Sequence, residues 1–204
     1  LLPLYTNLLT EVGSGGRDYL QTQHLQHGIT GGVSAYTAVR GEVSDPDALL
    51  AHLTLSSRTL NSKRDGMIAL LNETFITPNF REKARVREIV KHMRVRREGG
   101  ITGSGHTLAM TAAASYLRPV SRLNHELTGL AGIEQLKRLD SDLDDDARLE
   151  QLVVELEALQ SYVMAGQPRL LVVCDGAELN TTSKPVEQSW QSFQGSPQAG
   201  RFVC

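Results

Sequence analysis

The order of strand-like and helix-like segments constrains the fold of this chain more than any other feature. Residues 33–42 are rich in Val, Ser, Thr and Tyr, and residues 49–60 alternate apolar and polar side chains, as a half-buried strand does. Asp45 and Pro46 lie between the two segments and favour a turn. The two segments are therefore predicted to form an antiparallel pair of strands.

Helical periodicity occupies most of the remaining sequence. The first helix is predicted to end at Gly13, and Asp18 is predicted to cap a second helix that runs through His27 and closes at Gly28. Further helices are predicted over residues 61–77, 80–98, 101–117, 123–139, 147–165 and 185–194.

A third, buried strand is predicted over residues 169–174, where an apolar run precedes a turn. Strands followed by a run of helices indicate an α+β fold, with a small antiparallel or mixed sheet covered by helices on one face. Three strands make a thin sheet, so we expect that flanking strands are missing or that another domain completes the sheet. Residues 1–195 are interpreted as a single domain and residues 196–204 as the start of a following segment or linker, in a piece cut from a longer polypeptide.

Composition excludes several classes of protein. The 204 residues are 40% hydrophobic and 22% charged, with a formal net charge of −2, which argues against a disordered, collagenous or membrane-spanning chain. The apolar runs are far shorter than the roughly 18 residues that a membrane span needs. The two cysteines, Cys174 and Cys204, cannot form a disulfide scaffold or a four-cysteine zinc module.

Three patterns imitate metal sites without completing them. His24 and His27 would share one helix face, which is half of a zinc site. His125 begins a sequence similar to H-E-x-x-H, but Gly129 stands where the second histidine is needed. The acidic stretch 140–146 lacks the glycine and the final glutamate of a calcium loop. We interpret these residues as surface or partly buried histidines and a solvated acidic loop.

Two further patterns leave alternative functions open. Residues 100–107 have P-loop spacing, but His106 replaces the lysine that reaches the phosphates, which favours a helix junction over a nucleotide site. Residues 80–98 carry a basic stripe that could contact nucleic-acid phosphates or line a chamber for a polypeptide. No aromatic residue interleaves with the arginines, and acidic residues between 140 and 157 offer an internal counter-charge.

Four segments stand out by their order along the chain. They are the opening helix Leu2-Pro3-Leu4 to Leu8-Leu9-Thr10-Glu11-Val12-Gly13, the turn and strand Gly31-Gly32-Val33-Ser34, the segment Gly103-Ser104-Gly105-His106 with the Ala-rich run after it, and Leu127-Thr128-Gly129-Leu130. Taken in this order, they resemble the insulinase-type (pitrilysin) zinc metallopeptidase family, and most closely its presequence-protease branch. The resemblance covers about residues 2–193.

The resemblance implies related α+β domains that form two halves around a chamber, with an inverted H-x-x-E-H zinc motif on the first helix of one domain. Alignment on Gly13 and Ser14 places Leu4 and Leu8 at the histidine positions and Asn7 at the glutamate position. Leucine cannot bind zinc, and an amide cannot accept a proton from a metal-bound water. The chain therefore resembles the non-catalytic domain that opens the second half, with no catalytic residue and no metal.

The remaining candidate residues lie on or near the basic helix. The resemblance makes Glu88 a loose counterpart of a further glutamate ligand, unable to hold a metal alone. We expect Arg94, Arg96, Arg97 and His106 to contact peptide or neighbouring domains.

The functional expectation is a catalytically inactive, peptidase-like domain of a zinc-dependent metallopeptidase that degrades peptides. The domain would help to form the substrate chamber and dock onto the catalytic half, which would hold the zinc. The expected partners are other domains of the same polypeptide and its peptide substrate, rather than nucleic acid or a membrane. We expect a soluble protein of the cytoplasm or an organelle matrix, and self-association as a homodimer if the piece is isolated with apolar surface exposed. The alternative is a nucleic-acid-binding module that uses helix 80–98.

Overall fold

The computed structural model describes residues 1–45, 47–191 and 193, so the expected segment at 196–204 lies outside the described residues. The elements, in chain order, are α1 (Leu2–Glu11), α2 (Tyr19–Ile29), β1 (Val33–Gly41), β2 (Leu49–Ser57), a 3-10 turn (Asn61–Lys63), α3 (Arg64–Ile76), α4 (Lys83–Gly99), α5 (Ile101–Ala114), α6 (Pro119–Thr128), α7 (Leu130–Asp142), α8 (Asp146–Met164), a second 3-10 turn (Gly176–Glu178) and α9 (Leu179–Trp190). The α+β class predicted from the sequence is confirmed.

The sheet in the described part of the chain is a two-stranded antiparallel pair, β1 with β2. Val33 lies opposite Ser57, and Gly41 lies opposite Leu49 at the other end. Successive side chains of a strand point to opposite faces, and one face of this pair packs its Ala35, Leu53 and Leu55 against the apolar core. The hairpin is therefore anchored by one face, as its alternating sequence predicts.

Helix α1 supplies a central part of the apolar core. Its buried side chains recur at the three- and four-residue spacing of one helix face, and they share a cluster with apolar residues of α4 and α8. The cluster contains Leu4, Tyr5, Leu8, Leu9, Val12, Phe80, Val86, Ile89, Val90, Met93, Leu136, Leu143, Leu149, Leu152, Val153 and Leu156.

A glycine-rich turn connects α1 to α2. Gly13 has no room for a side chain, because a Cβ there would lie 2.2 Å from the carbonyl oxygen of Arg17. The Glu82 carboxylate accepts hydrogen bonds from the backbone N–H groups of Gly13 at 2.6 Å and Tyr19 at 2.9 Å. Asp18 caps α2 by accepting from the N–H of Gln21 at 2.8 Å, as predicted. Glu82 thus connects the residues after α1 to the first residue of α2, and Asp18 caps α2.

The predicted strand at 169–174 is wrong. The segment has no regular secondary structure, and Leu171 and Val173 are each 89% exposed instead of buried. Cys174 is half-buried. An apolar, β-favouring run becomes a strand only when a neighbouring strand accepts its hydrogen bonds, and the described residues pair no strand with this segment.

Several predicted helix boundaries also shift. The helix predicted over 123–139 is two helices, because Gly129 is extended at φ −79° and ψ −165° and so ends α6 before α7 begins. A Cβ at this position would crowd His125, so glycine fits the close approach. The acidic loop predicted at 140–146 is shorter than expected: residues 143–145 form the turn between α7 and α8, and Leu143 in this turn is fully buried. Helix α9 begins at Leu179, earlier than predicted. Among the described residues, no helix combines the length and apolar character that a bilayer crossing requires.

Candidate functional site

The two leucines that the resemblance places at the histidine positions lie inside the core. Leu4 is 4% exposed and Leu8 is fully buried. Both belong to the apolar cluster of α1, α4 and α8. As the i,i+4 spacing predicts, they share the buried face of α1. A peptidase metal must reach water and substrate at an open coordination position, and this face is filled with hydrocarbon instead.

The third aligned residue, Asn7, is half-buried and engaged within its own helix. Its Nδ2 donates a hydrogen bond to the carbonyl oxygen of Pro3 at 2.9 Å. A carboxamide has no proton-accepting role at neutral pH. Asn7 therefore acts as a local helix contact in this structure.

The partial metal motifs do not converge in space. Within residues 1–45, 47–191 and 193, no group of three or more His, Cys, Asp or Glu side chains is placed to hold a metal ion. His24 and His27 are exposed on α2. Glu88 is exposed on α4 and pairs with Arg85 at 2.8 Å.

Most cations of the basic stripe are bonded to other parts of the chain. Arg81 binds Glu157 at 2.8 Å, and Arg94 binds Asp140 at 2.6 Å and Glu98 at 2.7 Å. The other pairs are Lys83 with Glu150, Arg85 with Glu11 and Glu88, Arg87 with Asp146 and the carbonyl oxygen of Leu143, and Arg97 with the carbonyl oxygen of Leu127.

The acidic residues between 140 and 157 thus supply much of the internal counter-charge that the sequence suggested. Hydrogen bonding to Asp140 raises the pKa of Arg94, and hydrogen bonding to Lys83 lowers the pKa of Glu150. Water screens exposed pairs of this kind, so they add little to the stability of the fold. Their main effect is to occupy the cations, which leaves fewer of them for nucleic-acid phosphates.

The four proposed contact residues separate into two groups. Arg94 is held by its two carboxylates, and Arg97 donates to the carbonyl oxygen of Leu127 at 2.8 Å, with its pKa lowered by burial. Arg96 and His106 are exposed, and neither side chain bonds to another described residue. Only this second group faces outward without an internal partner.

The glycines with P-loop spacing do not form a phosphate loop. Gly103 and Gly105 lie inside α5, which begins at Ile101. A P-loop needs a strand before a non-helical loop whose N–H groups point to the phosphates. Here a basic helix precedes a helix, so the nucleotide hypothesis has no structural support.

A buried polar chain was missed at the sequence level. The hydroxyl of Tyr5 donates to Gln160 Oε1, and Gln160 Nε2 donates to the carbonyl oxygen of Phe75 at 2.5 Å. The chain links α1, α8 and the end of α3 across the core. One signal existed: Gln160 follows Leu156 by four residues, which places an amide on the buried face of α8.

Comparison with known proteins identifies the family. A family model for the region associated with peptidase family M16, subfamily C, matches residues 1–139. The mitochondrial presequence protease of Danio rerio is 30% identical over 151 residues, which are 74% of this chain and 15% of that protein. Presequence protease 1 (chloroplastic/mitochondrial) of Arabidopsis thaliana is 24% identical over 98% of this chain and 18% of its own length. The mitochondrial presequence protease of Mus musculus is 25% identical over 100% of this chain and 18% of its own length.

The chain spans less than a fifth of the length of these relatives. The ordered motifs, the α+β architecture and the match over residues 1–139 agree on one assignment. The chain belongs to the family of regions associated with subfamily C of the M16 peptidases, in the presequence-protease branch.

Proposed function

We propose that this chain is a non-catalytic, peptidase-like domain of a longer zinc metallopeptidase. The observation that carries the proposal is the burial of Leu4 and Leu8, at 4% and 0% exposure, where the family motif would place zinc ligands. A site at this place would need polar ligands around an ion and a path for water. The face that would carry them is closed by apolar side chains of α4 and α8.

The proposed role is structural. Residues 1–195 would form one domain that helps to wall the substrate chamber and docks onto the catalytic half. The parent polypeptide would hold its zinc in that other half and degrade peptides, as the name "presequence protease" of its relatives suggests. The words "mitochondrial" and "chloroplastic" in those names favour an organelle for the parent over the cytoplasm.

Nucleic acid is not part of this proposal. Six of the eight basic residues between 81 and 97 bond to carboxylates or carbonyl oxygens within the described residues, which leaves Lys91 and Arg96. Phosphate binding is strongest at low salt. We therefore expect no binding of duplex or single-stranded DNA by the chain even in low-salt buffer.

A peptidase assay on the purified chain tests the proposal. The chain is incubated with unstructured peptides and zinc, with and without a chelator. The full-length polypeptide, purified from its natural source, is assayed in parallel. We expect chelator-sensitive cleavage by the full-length polypeptide and none by the chain alone. Cleavage by the isolated chain that a chelator abolishes and zinc restores would overturn the proposal.

A further inference from the structure

Helix α5 presents an uncharged and unpartnered face. None of its fourteen residues is Asp, Glu, Lys or Arg, and none is buried. Residues spaced over about half of the helix circumference are all exposed, and we name them the α5 face: Gly103, Gly105, His106, Ala109, Met110 and Ala113.

Such an uncharged face is unusual for a helix that is exposed to solvent. A helix that water surrounds normally carries charged residues, and Met110 on this one is 59% exposed. Short helices are marginal on their own and rely on tertiary packing of one face. The contacts of α5 within the described residues lie mainly with α6 and the end of α4, on the other side from the α5 face.

Gly105 gives an independent reason to expect a partner. Glycine inside a helix is less favourable than alanine. A Cβ added at Gly105 would meet nothing within 4 Å, so nothing among the described residues requires a glycine there. A second backbone in close contact with this edge of the α5 face would require it, because only the absence of a Cβ lets two backbones approach closely. Gly103 is two residues earlier and lies on the opposite edge of the face, so it is not part of this contact.

We propose that the α5 face docks against an uncharged, apolar surface elsewhere in the same longer polypeptide. This inference rests on the proposed function and names one of its docking surfaces. More than four-fifths of the length of the relatives lies outside the region they share with this chain, which supplies ample surface for the contact. A charged occupant would lose its hydration without finding a charged partner on α5.

Thiol labelling of the α5 face tests the docking. In a Cys174→Ser, Cys204→Ser background, Ala109→Cys places a thiol at the centre of the face. Asp144→Cys serves as the control, because Asp144 is also exposed and lies in the charged turn between α7 and α8. Maleimide labelling rates are measured for both variants in the isolated chain and in the full-length polypeptide.

Each labelling rate in the full-length polypeptide is divided by the rate of the same thiol in the isolated, dilute chain, because the carboxylates around residue 144 lower the reactivity of a thiol there whatever covers it. This ratio is expected to be at least ~10-fold smaller for Ala109→Cys than for Asp144→Cys. Equal ratios would overturn the proposal. Protection that already exists in the isolated chain and disappears on dilution would identify a second copy as the occupant, and would overturn it as well.

Gly105→Ala tests the close approach separately. In the isolated chain this substitution is expected to raise the Tm by about 2–4 °C, through helix propensity. In the full-length polypeptide it is expected to increase the labelling of Ala109→Cys, because the new methyl group separates the two surfaces. Unchanged labelling would contradict the close contact. Neither result depends on peptidase activity, so failure of the docking proposal is distinguishable from failure of the proposed function.

Discussion

Removal of the Leu8 side chain offers the sharpest test of the interpretation of α1. Leu8 is fully buried in the cluster shared by α1, α4 and α8. Leucine-to-alanine substitutions at such sites cost about 2–5 kcal/mol, from lost transfer energy and the cavity left behind. For a domain of this size, each kcal/mol lowers the Tm by about 2–4 °C. We therefore expect Leu8→Ala to lower the Tm by roughly 4–20 °C.

Urea unfolding followed by far-UV circular dichroism measures the free energy directly, if the transition is two-state. Leu8→Met is the matched control, since swaps that conserve volume cost less than about 1.5 kcal/mol. Leu8→His should destabilise the chain strongly, because the imidazole would be buried without a hydrogen-bond partner. Zinc should not restore its stability. A Leu8→Ala variant that loses less than about 1 kcal/mol, or a Leu8→His variant that zinc stabilises, would refute the reasoning.

Three further substitutions test other parts of the structure. Burial raises the pKa of Tyr5, so above about pH 10 the unfolded chain releases this proton before the folded chain does, and the free energy of unfolding should fall by about 1.4 kcal/mol per pH unit. Tyr5→Phe should remove this contribution to the pH dependence, and it should cost about 1–3 kcal/mol at pH 7 because the Gln160 oxygen is left unpaired. An unchanged alkaline slope would contradict the assignment. Glu82→Ala should cost about 1–3 kcal/mol in urea unfolding, because it leaves the two backbone N–H groups that Glu82 binds unpaired. Substitution of the exposed Glu88 by alanine is the control and should cost at most about 0.5 kcal/mol. Equal losses would show that the turn does not depend on Glu82. Asp18→Ala should cost about 0.5–2 kcal/mol through the lost cap of α2, and thermal unfolding with no decrease in Tm would count against that cap.

Local patterns in the sequence predicted the elements whose stability is decided locally. The apolar spacing of α1, the Asp18 cap and the alternation in β1 and β2 each depend on residues close in the chain. The burial of Leu4 and Leu8 followed from their spacing on one helix face.

Features that depend on distant residues could not be predicted. The segment 169–174 has the composition of a strand, but it has no strand partner within the described residues. The break at Gly129 depends on its extended backbone between α6 and α7, which the apolar periodicity on either side does not reveal. The place of Gln160 in the core depends on a tyrosine 155 residues away.

The candidate contact residues show the same limit. The sequence grouped Arg94, Arg96, Arg97 and His106 by their position along the chain. Arg94 and Arg97 are bonded to acceptors on other helices, Asp140 of α7 and Leu127 of α6, while Arg96 and His106 face outward. Ion pairs and hydrogen bonds to other helices thus determine which of these side chains can contact a partner.

The zinc content of the purified chain tests the central claim most directly. The chain is loaded with excess zinc, dialysed against buffer with a weak chelator, and measured by inductively coupled plasma mass spectrometry. Because hydrocarbon fills the face of α1 that would carry the ligands, we predict far less than one zinc ion per chain. One zinc ion per chain that survives this dialysis would contradict the account.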